Sequence, residues 1–410
     1  MQNILIINQP FGNRGDESAH RALMHSLNKA LPNTHITVLA FADYANAEQE
    51  FIVDNPQNEY VNFIFPHNLA ASIVAKWSLK LGLQRIALYA HPILRKLLPY
   101  YQNTDVVLCA PGGICMGGFQ NWQHLFMLYV AKMCKKPLVY YSRSFGPFPT
   151  LTFSNRRFKY LSENILRYFT FLSIRDKKTM QLADEINVHY IPSIDTAFLE
   201  QPQVSIPHEI QFQNKKYIVI VPNSLTWHYA YSQCDQTDID NFYISIIGLL
   251  RQKYPDYNIV MLPQLYGLKE KGDHFYFLKL QSLCAPIDRA FIQVMPDILS
   301  SDIQQNIIRN AQLVIGARYH SIVFAINNRC PFIAINYEHK IAGLLEELAL
   351  TDKQINVSAS IICDSVKIEQ TLLQIKQLLY SATIYEGYIY QQRAYQIAKQ
   401  CFDTMLHTLA

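Results

Sequence analysis

Leu313-Val314-Ile315-Gly316-Ala317-Arg318-Tyr319-His320-Ser321 is an apolar run that stops abruptly and hands over to an arginine and a histidine. Residues 312–315 read as a buried strand and residues 321–327 as a short helix, which puts Arg318 and His320 on the turn past the strand's carboxyl end. A strand running straight into a helix is the unit from which parallel α/β sheets are built, and such sheets carry their ligands at that end. Arginine brings a permanent charge and a planar fork that matches a carboxylate or phosphate. Histidine titrates near neutrality and can donate or accept a proton. The plainer alternative makes Arg318 a surface ion-pair partner and His320 a helix N-terminal residue.

The same unit recurs on both sides of this stretch. Downstream lie a strand at 332–335 and a helix from about 341 to 348, with His339 and Lys340 at the strand's carboxyl end. Upstream, strands at 217–221, 259–262 and 291–295 alternate with helices at 239–250, 275–283 and 301–310, the last opened by a capping box, Ser301 with Gln304. Residues 201–214, with two prolines and little periodicity, read as a linker. Before them come strands at 3–8, 36–41, 106–109, 138–141 and 169–174. The predicted fold class is therefore α/β, with two doubly wound, Rossmann-like domains facing a cleft in a GT-B-like architecture. The domains are residues 1–205 and 206–375, followed by a helical tail over 376–410.

In the first domain a Gly-rich loop separates the strand at 3–8 from a helix at 17–31. Gly12 and Gly15, either side of Asn13, let backbone approach a ligand, and the helix N-terminus favours an anion. Neither a phosphate-binding P-loop nor a GxGxxG dinucleotide fingerprint is present. Asp16 and Glu17 stand where carboxylates cap a first helical turn. Pro111-Gly112-Gly113 follows the strand at 106–109, and its glycines suit close approach of a glycan or phosphate, or simply a turn. Arg143 and Arg175 stand at the ends of the next two strands; an ion pair with Asp176 or Asp16 is the structural alternative for Arg175.

Bulk properties narrow the class. A chain of 410 residues, half of them hydrophobic, is long enough for two buried cores. Its eight cysteines are scattered without metal-type spacing, which reads as reduced, structural and intracellular. The N-terminus reads as a first strand rather than a signal peptide, and no apolar run reaches the ~18 residues of a membrane span. The expected location is the cytoplasm. The net charge of +4 conceals an asymmetry: between residues 61 and 162 twelve Lys and Arg face a single acid, Asp105. An anionic partner is implied. No nucleic-acid-binding motif accompanies the charge, so nucleic acid is not expected. An anionic membrane surface fits better, and residues 69–101, where bases mix with Trp77, Tyr89, Tyr100 and Tyr101, suit a helix at a membrane interface. The alternative is an amphipathic helix packed on its own domain.

At these positions the chain resembles the polysaccharide pyruvyltransferase family. The resemblance is carried by Phe11-Gly12-Asn13-Arg14-Gly15-Asp16-Glu17, Pro111-Gly112-Gly113, Phe145-Gly146-Pro147, Ser173-Ile174-Arg175-Asp176, Asp195-Thr196-Ala197-Phe198, Arg318-Tyr319-His320-Ser321, Pro331-Phe332-Ile333-Ala334-Ile335, and His339-Lys340 with Leu344-Leu345. These blocks stand in family order over roughly residues 1 to 350, and the order is the signal. One departure is Arg143, within Ser142-Arg143-Ser144, where the family more often has a neutral residue.

The resemblance implies transfer of pyruvate from phosphoenolpyruvate, as donor substrate rather than cofactor, onto two hydroxyls of one sugar, forming a ketal in a surface polysaccharide or its lipid-linked precursor. That chemistry needs cations for a carboxylate and a phosphate, a proton for the methylene carbon, and help for the hydroxyls. Arg318 and Arg175 fill the first role, with Arg143 in reserve; His320 is the general acid, and Asp16 the base. Gly12, Asn13, Gly15, Gly112, Gly113, Tyr319, His339 and Lys340 complete the expected substrate contacts. No metal is called for. The first domain would take the glycan acceptor, carried on a polyprenyl diphosphate at the inner membrane face, the second would take the donor, and the tail would return to the first domain. The competing expectation is a glycosyltransferase of the same fold using a nucleotide sugar. A third, a non-catalytic protein of a polysaccharide locus, sits poorly with Arg175, Arg318 and His320 together.

Overall fold

The computed structural model describes residues 2–10, 12–40, 52–62, 68–207, 210, 216–266, 272–381 and 385–409. Phe11 of the first resemblance block, Phe41 of the expected second strand and part of the expected linker lie outside them. The chain forms two compact units: Met1–Phe11 with Asp16–Glu200 and Tyr395–Ala410, and Gly12–Gly15 with Gln201–Ala394.

The first unit is built on seven strands, β1 (Asn3–Gln9), β2 (His35–Ala40), β3 (Asn58–Asn62), β4 (Val106–Cys109), β5 (Leu138–Tyr140), β6 (Phe171–Ile174) and β7 (Ile191–Pro192), in the order β3-β2-β1-β4-β5-β6-β7. Every pairing is parallel. Alternation decides the packing: Leu5 and Ile7 of β1 enter one core, Ile4 and Ile6 the other. The first core is closed by the helices Leu69–Leu81, Trp122–Met133 and Phe153–Leu166. The second is closed by Leu23, Met24 and Leu27 of the helix Arg14–Ala30 and by Cys401, Phe402 and Met405 near the chain's end. Strand order reverses between β1 and β4, which makes their carboxyl ends this sheet's switch point.

The second unit carries six parallel strands, β8 (Tyr217–Val221), β9 (Asn258–Met261), β10 (Ile292–Val294), β11 (Val314–Gly316), β12 (Phe332–Asn336) and β13 (Gln354–Asn356), ordered β10-β9-β8-β11-β12-β13. Its switch point lies between β8 and β11, so the stretch that opens the sequence argument stands beside it. The fold is α/β, with two doubly wound sheets.

Several elements differ from expectation for local reasons. Residues 69–101 are four short helices, Leu69–Leu81, Gln84–Ala90, Pro92–Arg95 and Leu98–Gln102. Gly82, at φ +77°, ends the first, and Pro92 and Pro99 each sit in the first turn of a new one. The helix Ser301–Arg309 is capped by Ser300, which accepts from the Ile303 amide, rather than by Ser301. The tail is two helices, Ser365–Tyr380 and Gly387–Leu409. All eight cysteines are free thiols.

Candidate active site

In the second unit the loops leaving β8, β9, β11 and β12 converge at the sheet's carboxyl edge. Arg318 caps the helix Tyr319–Asn327 in extended conformation, and its Nη2 donates to Asp273 Oδ1. Asp273 is buried, and its second oxygen accepts from the amides of Gln264 and Leu265 at 3.1 and 2.9 Å. It also opens the helix Asp273–Leu283, whose N-terminus favours a carboxylate. Arg318 is thereby aimed by a fixed anion, with 15% of its side chain still exposed. Its guanidinium carbon lies 5.9 Å from the centre of the Trp227 indole.

Arg318, Asp273 and Trp227 line a cavity of about 870 Å³ together with Ser224, Thr226 and Lys279. Another part of its wall is a hydrogen-bonded network on buried Asp240, which accepts from Tyr276 Oη at 3.0 Å, Gln236 Nε2 at 2.9 Å and Lys279 Nζ at 2.5 Å. Burial, with Tyr243 and Asp240 adding to it, pushes the Tyr276 phenol upward, so it stays a donor. His228 continues the loop after β8; its ring stacks on Tyr229 at 4.6 Å and meets Tyr337 edge-on at 6.0 Å. Partial burial lowers its pKa, with Glu338 raising it and Lys340 lowering it, and its Nδ1 accepts from the Ala230 amide at 3.3 Å.

His320 departs from expectation. The helix begins at Tyr319, so His320 lies within its first turn, 7% exposed, rather than on an open turn. The Tyr319 ring stands edge-on to it at 5.0 Å. Gly15 explains how the histidine is accommodated: a Cβ there would fall 1.8 Å from His320 Cγ. The helix Arg14–Ala30 starts earlier than expected, placing Gly15 in its first turn, where Asn13 Oδ1 caps the Gly15 amide at 2.8 Å. Gly15 thus makes room for a side chain of the protein itself. Residues 12–14 lie alongside 264–266, through the Arg14 amide on Gln264 O at 2.9 Å and the Tyr266 amide on Gly12 O at 3.1 Å. Arg14 is buried, stacks over Tyr266 at 3.8 Å and donates to Asp297 O at 2.8 Å. His339 and Lys340 open the helix after β12; His339 is exposed, and Lys340 stands 3.6 Å from Glu338.

The remaining predicted residues belong to the first unit. Arg143 is buried, with Nη1 donating to Ala110 O at 2.7 Å and Asn8 O at 3.2 Å, and Nη2 to Cys115 Sγ at 3.0 Å. It braces that sheet's switch point. Gly112, at φ +156°, is tight against it: a Cβ would lie 3.1 Å from Pro10 Cγ and 3.2 Å from Arg143 Nη1. At Gly113 a Cβ would meet open space. Arg175 pairs with buried Asp195, not with Asp176 or Asp16. Asp176 instead caps the helix Lys177–Glu185 through the Thr179 amide at 2.9 Å. Asp16 sits, partly buried, in the first turn of Arg14–Ala30. Another cavity, about 850 Å³, abuts residues of β1–β3 such as Asn3, His35 and Glu59, toward the strands' amino ends. Ligands of such sheets bind at the other end.

Arg318, Tyr319 and His320 share one unit with Gly12, Asn13 and Gly15, whereas the sequence reading puts the glycine loop in the first domain. That reading missed Asp273, which lies 45 residues from its partner. It also passed over Trp227-His228-Tyr229, an aromatic run just past a strand that was there to be noticed.

Known proteins resemble this chain at two levels, in sequence and in fold. "Amylovoran biosynthesis protein AmsJ" from Erwinia amylovora is 22% identical over 381 residues, covering 88% of this chain and 89% of its own. Among solved structures, the "S. aureus MnaA-UDP co-structure" superposes with a TM-score of 0.57 at 13% identity, over 100% of this chain and 97% of that one. UDP-GlcNAc 2-epimerase from Neisseria meningitidis bound to UDP-GlcNAc gives 0.56 at 12% identity, over 99% and 100%. These likenesses show the GT-B-like fold alone. The family is given by sequence: the family model for polysaccharide pyruvyl transferase matches residues 13–339, from the asparagine that caps the first helix to the histidine that follows β12, and with well over half its length inside that match the chain belongs to the polysaccharide pyruvyl transferase family.

Proposed function

We propose that this transferase uses phosphoenolpyruvate as donor and forms a pyruvate ketal on two hydroxyls of one sugar in an exopolysaccharide or its lipid-linked precursor. The observation that carries the reading is Arg318, fixed by Asp273 at the wall of a large cavity beside the β8–β11 switch point. A guanidinium so held presents its remaining N–H groups to an oxyanion without reorganising. In the reaction the first sugar hydroxyl adds to the donor's C2 while a proton goes to the methylene carbon, giving a methyl group. The second hydroxyl then replaces phosphate at C2. One hydroxyl proton is balanced by the new C–H bond and the other leaves with phosphate. Arg318 holds the donor's carboxylate or phosphate, and His320 delivers the proton to the methylene carbon. Asp16 remains the proposed base for a sugar hydroxyl and Arg175 the proposed second cation, with His339 and Lys340 proposed contributors to substrate binding. The acceptor is a glycan, with residues of the first unit proposed to receive it.

The test offers purified protein phosphoenolpyruvate or a panel of nucleotide sugars with a lipid-linked glycan fraction. The reading expects inorganic phosphate only from phosphoenolpyruvate and a gain of about 70 mass units per modified sugar, the mass of a pyruvate ketal replacing two hydroxyl hydrogens. Nucleotide release from a sugar nucleotide, without phosphate from phosphoenolpyruvate, would overturn it in favour of glycosyl transfer.

A further inference from the structure

The helix Leu69–Leu81 carries four of its large apolar side chains on the side facing solvent. Ala71, Ala75, Ser78 and Leu79 are buried, whereas Leu69, Ile73, Trp77 and Leu81 are 73%, 47%, 52% and 64% exposed. Steps of four residues align these side chains in one stripe. Lys76 and Lys80 share that face, because a turn of about 100° per residue puts them roughly 20° to either side of Leu69. The Lys80 ammonium lies 4.8 Å from the Trp77 ring centre. Past Gly82 the exposed side chains Leu83 and Ile86 extend the apolar surface, with Arg85 exposed beside them.

In the sequence no carboxylate is interspersed among these bases. The single acid between residues 61 and 162 is Asp105, and its Oδ2 accepts from the amides of Gln2 and Asn3 at 2.6 and 2.9 Å, at the amino end of β1. Contiguous exposed apolar side chains mark an interaction surface rather than an ordinary solvated helix. Interleaved lysines and a tryptophan suit the boundary of a bilayer, where apolar groups reach the acyl edge, indole sits at headgroup level and lysines snorkel to phosphates. A second copy docking on this face by two-fold symmetry would bring the lysines of both copies into one interface. Among the described residues no helix is long and apolar enough to cross a membrane.

We propose that the exposed face of Leu69–Leu81, continued by the start of Gln84–Ala90, is a docking surface for an anionic lipid bilayer and lies in its headgroup plane. The inference is independent of which donor the enzyme uses.

Full-length protein is sedimented with vesicles of phosphatidylglycerol or of phosphatidylcholine, at low and high salt, and its oligomeric state is measured without lipid. The expected result is binding to phosphatidylglycerol, little to phosphatidylcholine, and weakening by salt. Combining Lys76→Gln with Lys80→Gln should raise the phosphatidylglycerol needed for half-binding roughly thirtyfold, from the usual contribution of a base near an anionic leaflet. Leu69→Ser, Ile73→Ser, Trp77→Ser and Leu81→Ser together should abolish binding while the thermal midpoint holds; if that variant unfolds, Trp77→Ser alone must still weaken binding. No binding to phosphatidylglycerol, equal binding to both lipids, or unchanged binding by the variants would overturn the proposal. So would a lipid-free dimer that the serine changes dissolve.

Discussion

The two doubly wound sheets each set an arginine at or beside the switch point, yet the two arginines are held differently. Arg318 in the second unit rests on the buried carboxylate of Asp273 and lines a cavity of about 870 Å³. Arg143 in the first unit is 1% exposed and directs its donors at the carbonyls of Asn8 and Ala110 and at the Cys115 sulfur. One guanidinium is anchored at one side and open at another; the other is a cross-brace between strand ends. An arginine at a strand's carboxyl end is therefore a ligand group only when its partners leave donors facing open space. The same contrast separates the glycines, since Gly112 yields space to Arg143 and Gly15 yields it to His320.

If the second unit is the chemical one, its histidine should show the largest effect. His320→Asn keeps a polar side chain of similar size, which matters because the native ring is buried. It should lower kcat for phosphate release by about 10² to 10⁴, the range for losing a general acid. A folded variant turning over at the wild-type rate would remove His320 from the reaction and leave it a packing residue.

A smaller effect should separate the units by acid sensitivity. His20 and His124 are buried in the first unit. Burial, with Arg21 and His25 adding to it, lowers the His20 pKa to about 3. Burial and then Arg143 hold His124 well below its ordinary value. Below pH 6.5 the unfolded chain takes up protons that these native rings refuse, so stability falls as pH falls. At about 1.4 kcal/mol per pH unit, His20 alone should cost about 2 kcal/mol between pH 7.5 and pH 5. Urea titrations at the two pH values measure the change, and His20→Gln, read against its own pH 7.5 value, should flatten it. A midpoint indifferent to pH would mean that these histidines protonate without unfolding.

Much of the fold was legible because β8, β9, β11 and β12 are short apolar runs with β-branched residues, each followed by a helix. What the sequence concealed were edge strands: β3 is Asn-Glu-Tyr-Val-Asn, and β7 has only two residues. Neither offers the apolar run that marks a buried strand. Prolines and Gly82 broke up residues 69–101, although the mixture of bases and aromatics there could be read before the breaks were known. In the site, Arg318 and His320 announced themselves by following an apolar strand. Asp273 did not, because a carboxylate at a helix start looks like a cap until the arginine that it holds is located. Arg175 looked available for the same reason, its partner Asp195 lying on another loop.

The most direct test of the central claim is calorimetric titration of phosphoenolpyruvate into the wild type, Arg318→Lys and Arg143→Lys. Lysine keeps the charge and discards the fork, so the difference isolates bidentate recognition. The account predicts binding by the wild type, a loss of about 10- to 100-fold in Arg318→Lys, the scale of one charge-assisted hydrogen bond, and nearly native affinity in an Arg143→Lys protein of lowered thermal midpoint. Native affinity in Arg318→Lys, or loss of binding in an Arg143→Lys protein of undiminished stability, would contradict it.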